Sequence, residues 1–131
     1  MSWDLFVQDW GSFDSLEQIP NDFEPKSIGK RSELIEKIKT AEPTADFTNP
    51  SWGLLENEFF SIEFNMGDSE VVDSFVMHIR GNELAIPCIG NILESLNLRA
   101  SDGSTPNFFD IEKSKKEMSR WIDYRNSIAK G

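Results

Sequence analysis

Three stretches of the chain alternate apolar and polar residues, which is the period of a half-buried β-strand. They cover residues 3–10, 58–65 and 72–80. Only the polar link MGDSEV separates the second from the third, and two alternating strands joined by a short polar link predict a β-hairpin. Turn residues in TADFTNPSWG place a further strand at 52–57, and the loop after residue 97 leaves room for a short strand at 98–100.

Apolar residues at helical spacing predict three helices. The first covers about 30–41, and the second about 85–97 with Pro87 in its first turn, where a missing N–H is tolerated. The third covers 107–131 and is expected to dock on the rest of the protein as a C-terminal helix. Its KSKKEMSRW segment is interleaved with Glu and Ser, which makes it a weak match to a basic nucleic-acid or membrane helix.

The order of elements is β-α-β-β-β-α-α, which predicts the α+β class. Strands that are consecutive in sequence tend to pair, so we expect an antiparallel sheet of about four strands with the helices packed on one face. A length of 131 residues is typical of a single domain. The sequence therefore predicts one α+β domain spanning residues 1–131.

The two faces of this sheet differ in character. The apolar face is assigned to the core and comprises Trp3, Leu5, Phe60, Ile62, Phe64, Phe75, Met77 and Ile79. The opposite face is polar and is the candidate working surface if the first strand pairs with the hairpin. It comprises Asp4, Phe6, Gln8, Ser61, Glu63, Ser74, Val76, His78 and Arg80.

The hairpin register decides whether Glu63 and His78 meet as a general acid/base pair. For the apolar residues of both strands to share a face, the numbers of facing residues must add up to an odd value. A sum of 137 gives a tight loop at 67–70 and separates the two side chains by roughly 13 Å, whereas 139 makes them diagonal neighbours at roughly 7 Å. A sum of 141 pairs them directly but sets Phe75 opposite Met66 and leaves a long loop. The tighter loop favours 137.

No motif in the sequence identifies a catalytic centre. His78 is interpreted as a solvated strand histidine, because no nucleophile or orienting pattern accompanies it. The zinc deaminase pattern H-x-E followed by P-C-x-x-C fails, since Arg80 stands where the glutamate is needed and Asn91 where the second cysteine is needed. Cys88 lies on the apolar stripe of its helix and is predicted to be a buried structural thiol.

Binding motifs for ions and phosphates are likewise missing from the sequence. The acidic turn around Gly67 lacks the ligand spacing of an EF-hand calcium loop. Neither the P-loop nor the dinucleotide glycine pattern occurs, and no G-x-S-x-G elbow is present. We therefore predict no catalytic residue, no metal and no cofactor.

The charge is strongly acidic, with 13 basic and 23 acidic residues and a net charge of −10. The imbalance lies before residue 110, where 7 basic and 19 acidic residues leave −12, while 110–131 carries 6 basic and 4 acidic residues. Such a field repels phosphate backbones and favours encounter with a basic protein. The chain shows no signal peptide and no apolar run of transmembrane length, so we expect a cytoplasmic protein that binds neither nucleic acid nor membrane.

Four stretches, MSWDLFVQDW, DFTNPSWG, FFSIEFNMG and VMHIRGNELA, together resemble a family of small stand-alone uncharacterised bacterial proteins. The resemblance covers most of the chain up to Phe109, and the C-terminal segment departs from it. It implies a bacterial cytoplasmic single-domain protein. It brings no activity and no functional residues.

Two functional hypotheses follow. The first is a non-catalytic protein-binding module of the immunity, or toxin-neutralising, type, which engages a basic partner through an acidic sheet face or edge. Its candidate binding residues are Asp4, Phe6, Gln8, Trp10, Glu63, His78 and Arg80. The alternative is a small enzyme or ligand-binding domain with a polar site around His78, Glu63 and Arg80. A flat acidic face favours the first, and a concave pocket at His78 favours the second.

Overall fold

The computed structural model describes residues 3–11, 13, 16–24, 26–102 and 108–109. The longer elements follow the period of the sequence pattern, which is alternation in strands and three- or four-residue spacing in helices. In chain order the elements are β1 (Trp3–Gln8), a 3-10 turn (Leu16–Gln18), β2 (Gly29–Lys30), α1 (Arg31–Ala41), β3 (Trp52–Glu56), β4 (Phe60–Asn65), β5 (Val71–Val72), β6 (Ser74–Gly81), α2 (Ala85–Leu96) and β7 (Arg99–Asp102).

Five of the strands form one antiparallel sheet in the spatial order β3-β4-β6-β1-β7. The predicted α+β class is confirmed. The sheet has one strand more than predicted, because the residues after α2 pair with the outer side of β1 as β7. The remaining strands, β2 and β5, form a separate two-stranded antiparallel sheet.

The predicted hairpin register is wrong. β4 pairs with β6 so that Glu63 faces His78 and Ile62 faces Ile79, which is the register of sum 141 rather than 137. The long connection that counted against this register is not an open loop, because its last residues form β5 and pair with β2. Backbone groups that a tighter hairpin would have paired within itself are therefore paired in the small sheet.

The core lies between one face of the sheet and both described helices. Alternation along β1, β4 and β6 places Leu5, Phe64 and Met77 on this face, and each of them is fully buried. α2 contributes most of the helical side of the core, because seven of its twelve residues are buried. They are Ala85, Ile86, Cys88, Ile89, Ile92, Leu93 and Leu96. α1 adds Leu34 and Ile38 and is tied to α2 where the Ser95 hydroxyl donates to the Lys37 carbonyl at 3.0 Å.

The outer edges of the sheet are occupied. On β3, Leu54 exchanges backbone hydrogen bonds with Asp46 at 2.8 and 2.9 Å. On β7, the Phe109 N–H donates to the Ala100 carbonyl at 2.8 Å. The neighbouring residues Ser101 and Phe108 form an isolated antiparallel β-bridge. Addition of a partner strand needs unpaired edge groups, so the sheet is closed to a partner strand at these positions.

Most of the predicted C-terminal helix, 107–131, lies outside the described residues. Within them, Phe109 packs against Trp3 with ring centroids 6.1 Å apart, and the Trp3 indole N–H donates to Asp102 at 3.0 Å. Contact with Trp3 thus holds Phe109 against the sheet. In the described part of the chain, neither helix is long and apolar enough to cross a membrane.

Cys88 is predicted to be chemically inert in the folded protein. Cys88 is only 7% exposed. The pKa of its thiol is raised to about 12, mainly by burial and further by the charge of Glu42 and a hydrogen bond with Glu42. Since the thiolate is the reactive form, we expect iodoacetamide at pH 8 to label the native protein about 100-fold more slowly than the urea-unfolded chain, as followed by mass spectrometry. Equal rates in both states would contradict the buried position.

Candidate functional site on the open sheet face

The sheet face that points away from α1 and α2 is called the open face below. It is formed by alternate residues of all five strands, and the predicted polar residues of β1, β4 and β6 all lie on it. Its members are Asp4, Phe6, Gln8, Trp52, Leu54, Glu56, Ser61, Glu63, Asn65, Ser74, Val76, His78, Arg80, Arg99 and Ser101. Both described helices bury their apolar sides against the opposite face.

One row across the open face brings the ionisable side chains together. Leu54, Glu63, His78 and Asp4 are direct cross-strand neighbours in that order, from β3 through β4 and β6 to β1. Directly opposed side chains in an antiparallel pair have Cβ atoms about 5 Å apart. The observed register therefore places His78 between two carboxylates, a position that the predicted register of 137 had excluded.

Asp4 and His78 form a direct hydrogen bond. Asp4 Oδ1 lies 2.8 Å from His78 Nδ1, and the two side chains are 40% and 23% exposed. A carboxylate can only accept, so Nδ1 carries the proton and Nε2 of the neutral ring is left as an acceptor. This contact fixes both the orientation and the tautomer of the only histidine in the chain.

Trp52 lies over the same histidine. The indole and imidazole centroids are 5.7 Å apart, and the planes are inclined by 19°. Trp52 is on β3 and His78 is on β6, with β4 between them, whereas strands two places apart are separated by about 9.5 Å. The indole therefore reaches across β4 toward the middle of the sheet, and 43% of the residue remains exposed.

Glu63, which faces His78, forms an ion pair with Arg80. Arg80 Nη1 lies 3.2 Å from Glu63 Oε1, and the side chains are 49% and 29% exposed. The two residues are diagonal neighbours, because Arg80 faces Ser61 across the strand pair. Exposed pairs of this kind contribute about 0 to 1 kcal/mol, so Arg80 can leave Glu63 at little cost.

The remaining predicted residues extend the face away from His78. Phe6, beside Val76 in the neighbouring row, is 39% exposed. Gln8 lies further along β1, opposite Ser74. Trp10 follows the end of β1, where its indole N–H donates to the Phe6 carbonyl at 3.4 Å and its ring meets Phe108 edge-on. Phe6 and Gln8 therefore belong to the open face, whereas Trp10 lies beyond the end of its strand.

Sequence reasoning missed the open-face residues of β3, which are Trp52, Leu54 and Glu56. Trp52 and Leu54 are large, apolar and exposed, at 43% and 36%. The signal was available, because a strand at WGLLE has Trp52, Leu54 and Glu56 on one side by alternation. What was missing was the pairing of β3 with β4, which assigns that side to the open face.

Two cavities are lined by described residues, and one of them touches the open face at Gln8 and Arg99, at one end of the face. One, of about 670 Å³, is lined by the end of β1, by α2 and by β7, including Trp10, Leu93 and Arg99. The other, of about 430 Å³, is lined by residues that include Arg31 and Phe47. Neither is lined by a residue of the row around His78. Among the residues that the structure describes, no group of three or more His, Cys, Asp and Glu side chains could hold a metal ion.

The fold and the site define an α+β protein with one exposed sheet face that combines aromatic and acidic side chains. Comparison with protein families, with curated proteins and with solved structures found no match to this chain. The functional argument therefore rests on the geometry and chemistry of the open face.

Proposed function

We propose that the protein is a non-catalytic binding module whose open face takes a basic protein partner. The observation that carries the proposal is the exposure of Phe6, Trp52 and Leu54, at 39%, 43% and 36%, on a face that also bears carboxylates. Aromatic anchors surrounded by polar and charged residues are typical of protein interfaces.

The charge of the protein selects the kind of partner. The chain has 23 acidic and 13 basic residues, which gives a net charge of −10. On the open face itself, the three acidic residues Asp4, Glu56 and Glu63 outnumber the two basic residues Arg80 and Arg99. Opposite charge steers a basic protein toward such a surface, whereas a second copy of the chain would bring the same acidic face against it. A basic toxin neutralised by an immunity protein is one type of pair that fits.

The geometry favours the face over the edges as the binding surface. Backbone groups of β3 and β7 are occupied by Asp46 and by the Phe108–Phe109 segment. A partner that adds a strand to the sheet would have to displace these contacts. Side chains on the open face need no such rearrangement.

The test removes two acidic charges from the open face and compares the result with removal of two charges elsewhere. The wild-type chain is immobilised, proteins of the source cell are captured at low salt, and a basic candidate is purified for calorimetric titration. We expect the Glu56→Gln/Glu63→Gln variant to bind that purified protein about tenfold more weakly. Wild-type affinity should also fall as salt is raised.

The matched control is Glu36→Gln/Glu94→Gln. Both residues are exposed on the helices, and the control has the same net charge as the open-face variant. We expect it to bind the partner within about threefold of wild type, because a distant charge changes only the long-range attraction. Equal weakening in both variants, or no basic protein that binds at low salt, would refute the proposal.

The contact between Asp4 and His78 supports a second candidate, a small enzyme with His78 as general base. A carboxylate that orients a histidine is a recurring part of such sites. Neither the cavity beside Trp10 nor the one beside Arg31 is lined by His78, so neither of them supplies the pocket in which a catalytic base acts. Turnover of chromogenic phosphate or carboxylic esters that is lost in His78→Asn would favour this candidate over the first.

A further inference from the structure

The Trp52 indole presents an aromatic surface in the middle of the open face. One side of the ring lies against His78, with centroids 5.7 Å apart, and the residue is 43% exposed. The indole plane is nearly parallel to the imidazole plane, at 19°. The flat side of the indole that faces away from His78 is called the platform below. A planar group of a partner can stack on such a platform.

A carboxylate belongs to the same platform. Glu63 is on β4, the strand that the indole crosses, and it directly faces His78. Its side chain is 29% exposed and is engaged by Arg80 through a contact of 3.2 Å. An aromatic platform beside a carboxylate is the combination that binds a guanidinium group, which stacks on tryptophan and donates forked hydrogen bonds to a carboxylate.

We propose that Trp52 and Glu63 form the contact point for an arginine side chain of the basic partner. This inference rests on the proposed function. Arg80 occupies Glu63 in the unbound protein and gives way when the partner's guanidinium arrives, because an exposed pair of this kind is weak. Arginine is preferred over lysine, since an ammonium group lacks both the planar stacking surface and the fork.

The contact can be measured without knowing the partner. The probes are two short capped peptides, Gly-Arg-Gly and Gly-Lys-Gly, titrated into the ¹⁵N-labelled full chain while the tryptophan indole signals are followed by NMR. We expect the arginine probe to move the Trp52 signal saturably in the millimolar range. The lysine probe should bind at least about threefold more weakly. The Trp3 and Trp10 indoles already donate to Asp102 and to the Phe6 carbonyl, and they serve as internal references.

Two variants locate the contact. Glu63→Gln keeps the size of the side chain but removes its charge, so we expect the arginine probe to bind several-fold more weakly, and Glu36→Gln should bind it as wild type does. Trp52→Leu removes the reporter signal, so its binding is followed through the backbone signals of β4 and β6, and binding should be lost. An unchanged overall NMR spectrum away from the site shows that each variant is folded.

The outcomes separate this inference from the proposed function. Equal binding of both probes, no movement of the Trp52 signal, or wild-type binding in Glu63→Gln would overturn the arginine contact. If the contact fails while Glu56→Gln/Glu63→Gln still weakens binding of a purified basic protein, the proposed function stands without it. If the arginine probe behaves as expected but no basic protein binds the open face, the proposed function fails instead.

Discussion

Replacement of Gly81 by alanine is expected to lower the free energy of unfolding by about 3 to 4 kcal/mol. Gly81 ends β6 opposite Phe60 and has φ +113°, a backbone conformation that residues with a side chain rarely adopt. A Cβ atom there would lie 2.4 Å from the Phe59 carbonyl oxygen and 2.5 Å from the Phe60 Cα. These are backbone atoms, so neither can turn aside, and the end of the hairpin must shift. Urea denaturation followed by circular dichroism measures the change.

Gly67→Ala is the matched control for this effect. Gly67 also has a positive φ, at +76°, but no atom lies within 4 Å of the position of an added Cβ. Its alanine variant therefore carries the backbone strain without the collision, and we expect a loss of about 1 kcal/mol. If both alanine variants lose the same amount, the close approach of Gly81 to the neighbouring strand has no energetic consequence and the prediction is wrong.

The register of the hairpin between β4 and β6 is the part of the fold that sequence reasoning predicted wrongly. Local patterns restricted the sum of facing residues to odd values, because the apolar residues had to share a face. They could not choose among 137, 139 and 141, since each keeps the same residues buried. The choice depends on Val71–Val72, which pairs with Gly29–Lys30 some forty residues earlier in the chain. A preference for short loops failed because it considered the hairpin alone.

The residues of the candidate site were predictable as members of a face but not as partners. Alternation placed Asp4, Glu63, His78 and Arg80 on the polar side of their strands, and the structure finds them there. The hydrogen bond between Asp4 and His78 joins residues 74 positions apart, and it exists only because β1 inserts beside β6. The order of strands in a sheet is set by packing of the whole chain, so a local sequence pattern does not predict it.

Trp52 shows that local patterns also fail to predict the conformation of a side chain. Alternation gives the side of the strand from which a side chain leaves, but not how far it leans across its neighbours. The indole reaches His78 across an intervening strand, and this turns an edge residue into part of the central surface. Candidate site residues are therefore best sought on every strand of a polar face, including strands with no ionisable residue at the centre.

The second large effect is expected on the core side of the same edge strand. Gly53 is buried on β3, and Phe47 packs over it while contacting Phe64 with ring centroids 5.3 Å apart. A Cβ at position 53 would lie 2.3 Å from the Phe47 Cε1 atom, so the phenyl ring must leave its place on Phe64. We expect Gly53→Ala to lower the free energy of unfolding by about 2 to 3 kcal/mol, measured by the same urea titration.

Here the obstructing group is a side chain rather than backbone, and this allows a rescue that Gly81 does not. Phe47→Leu alone is expected to cost about 1 to 2 kcal/mol, because it leaves part of the ring's volume empty. In the Gly53→Ala background the smaller side chain makes room for the new methyl group. The double variant should then be more stable than the sum of the two losses predicts, by about 1 kcal/mol or more. If the two losses in free energy of unfolding simply add, Phe47 does not occupy the space beside Gly53 and the prediction is wrong.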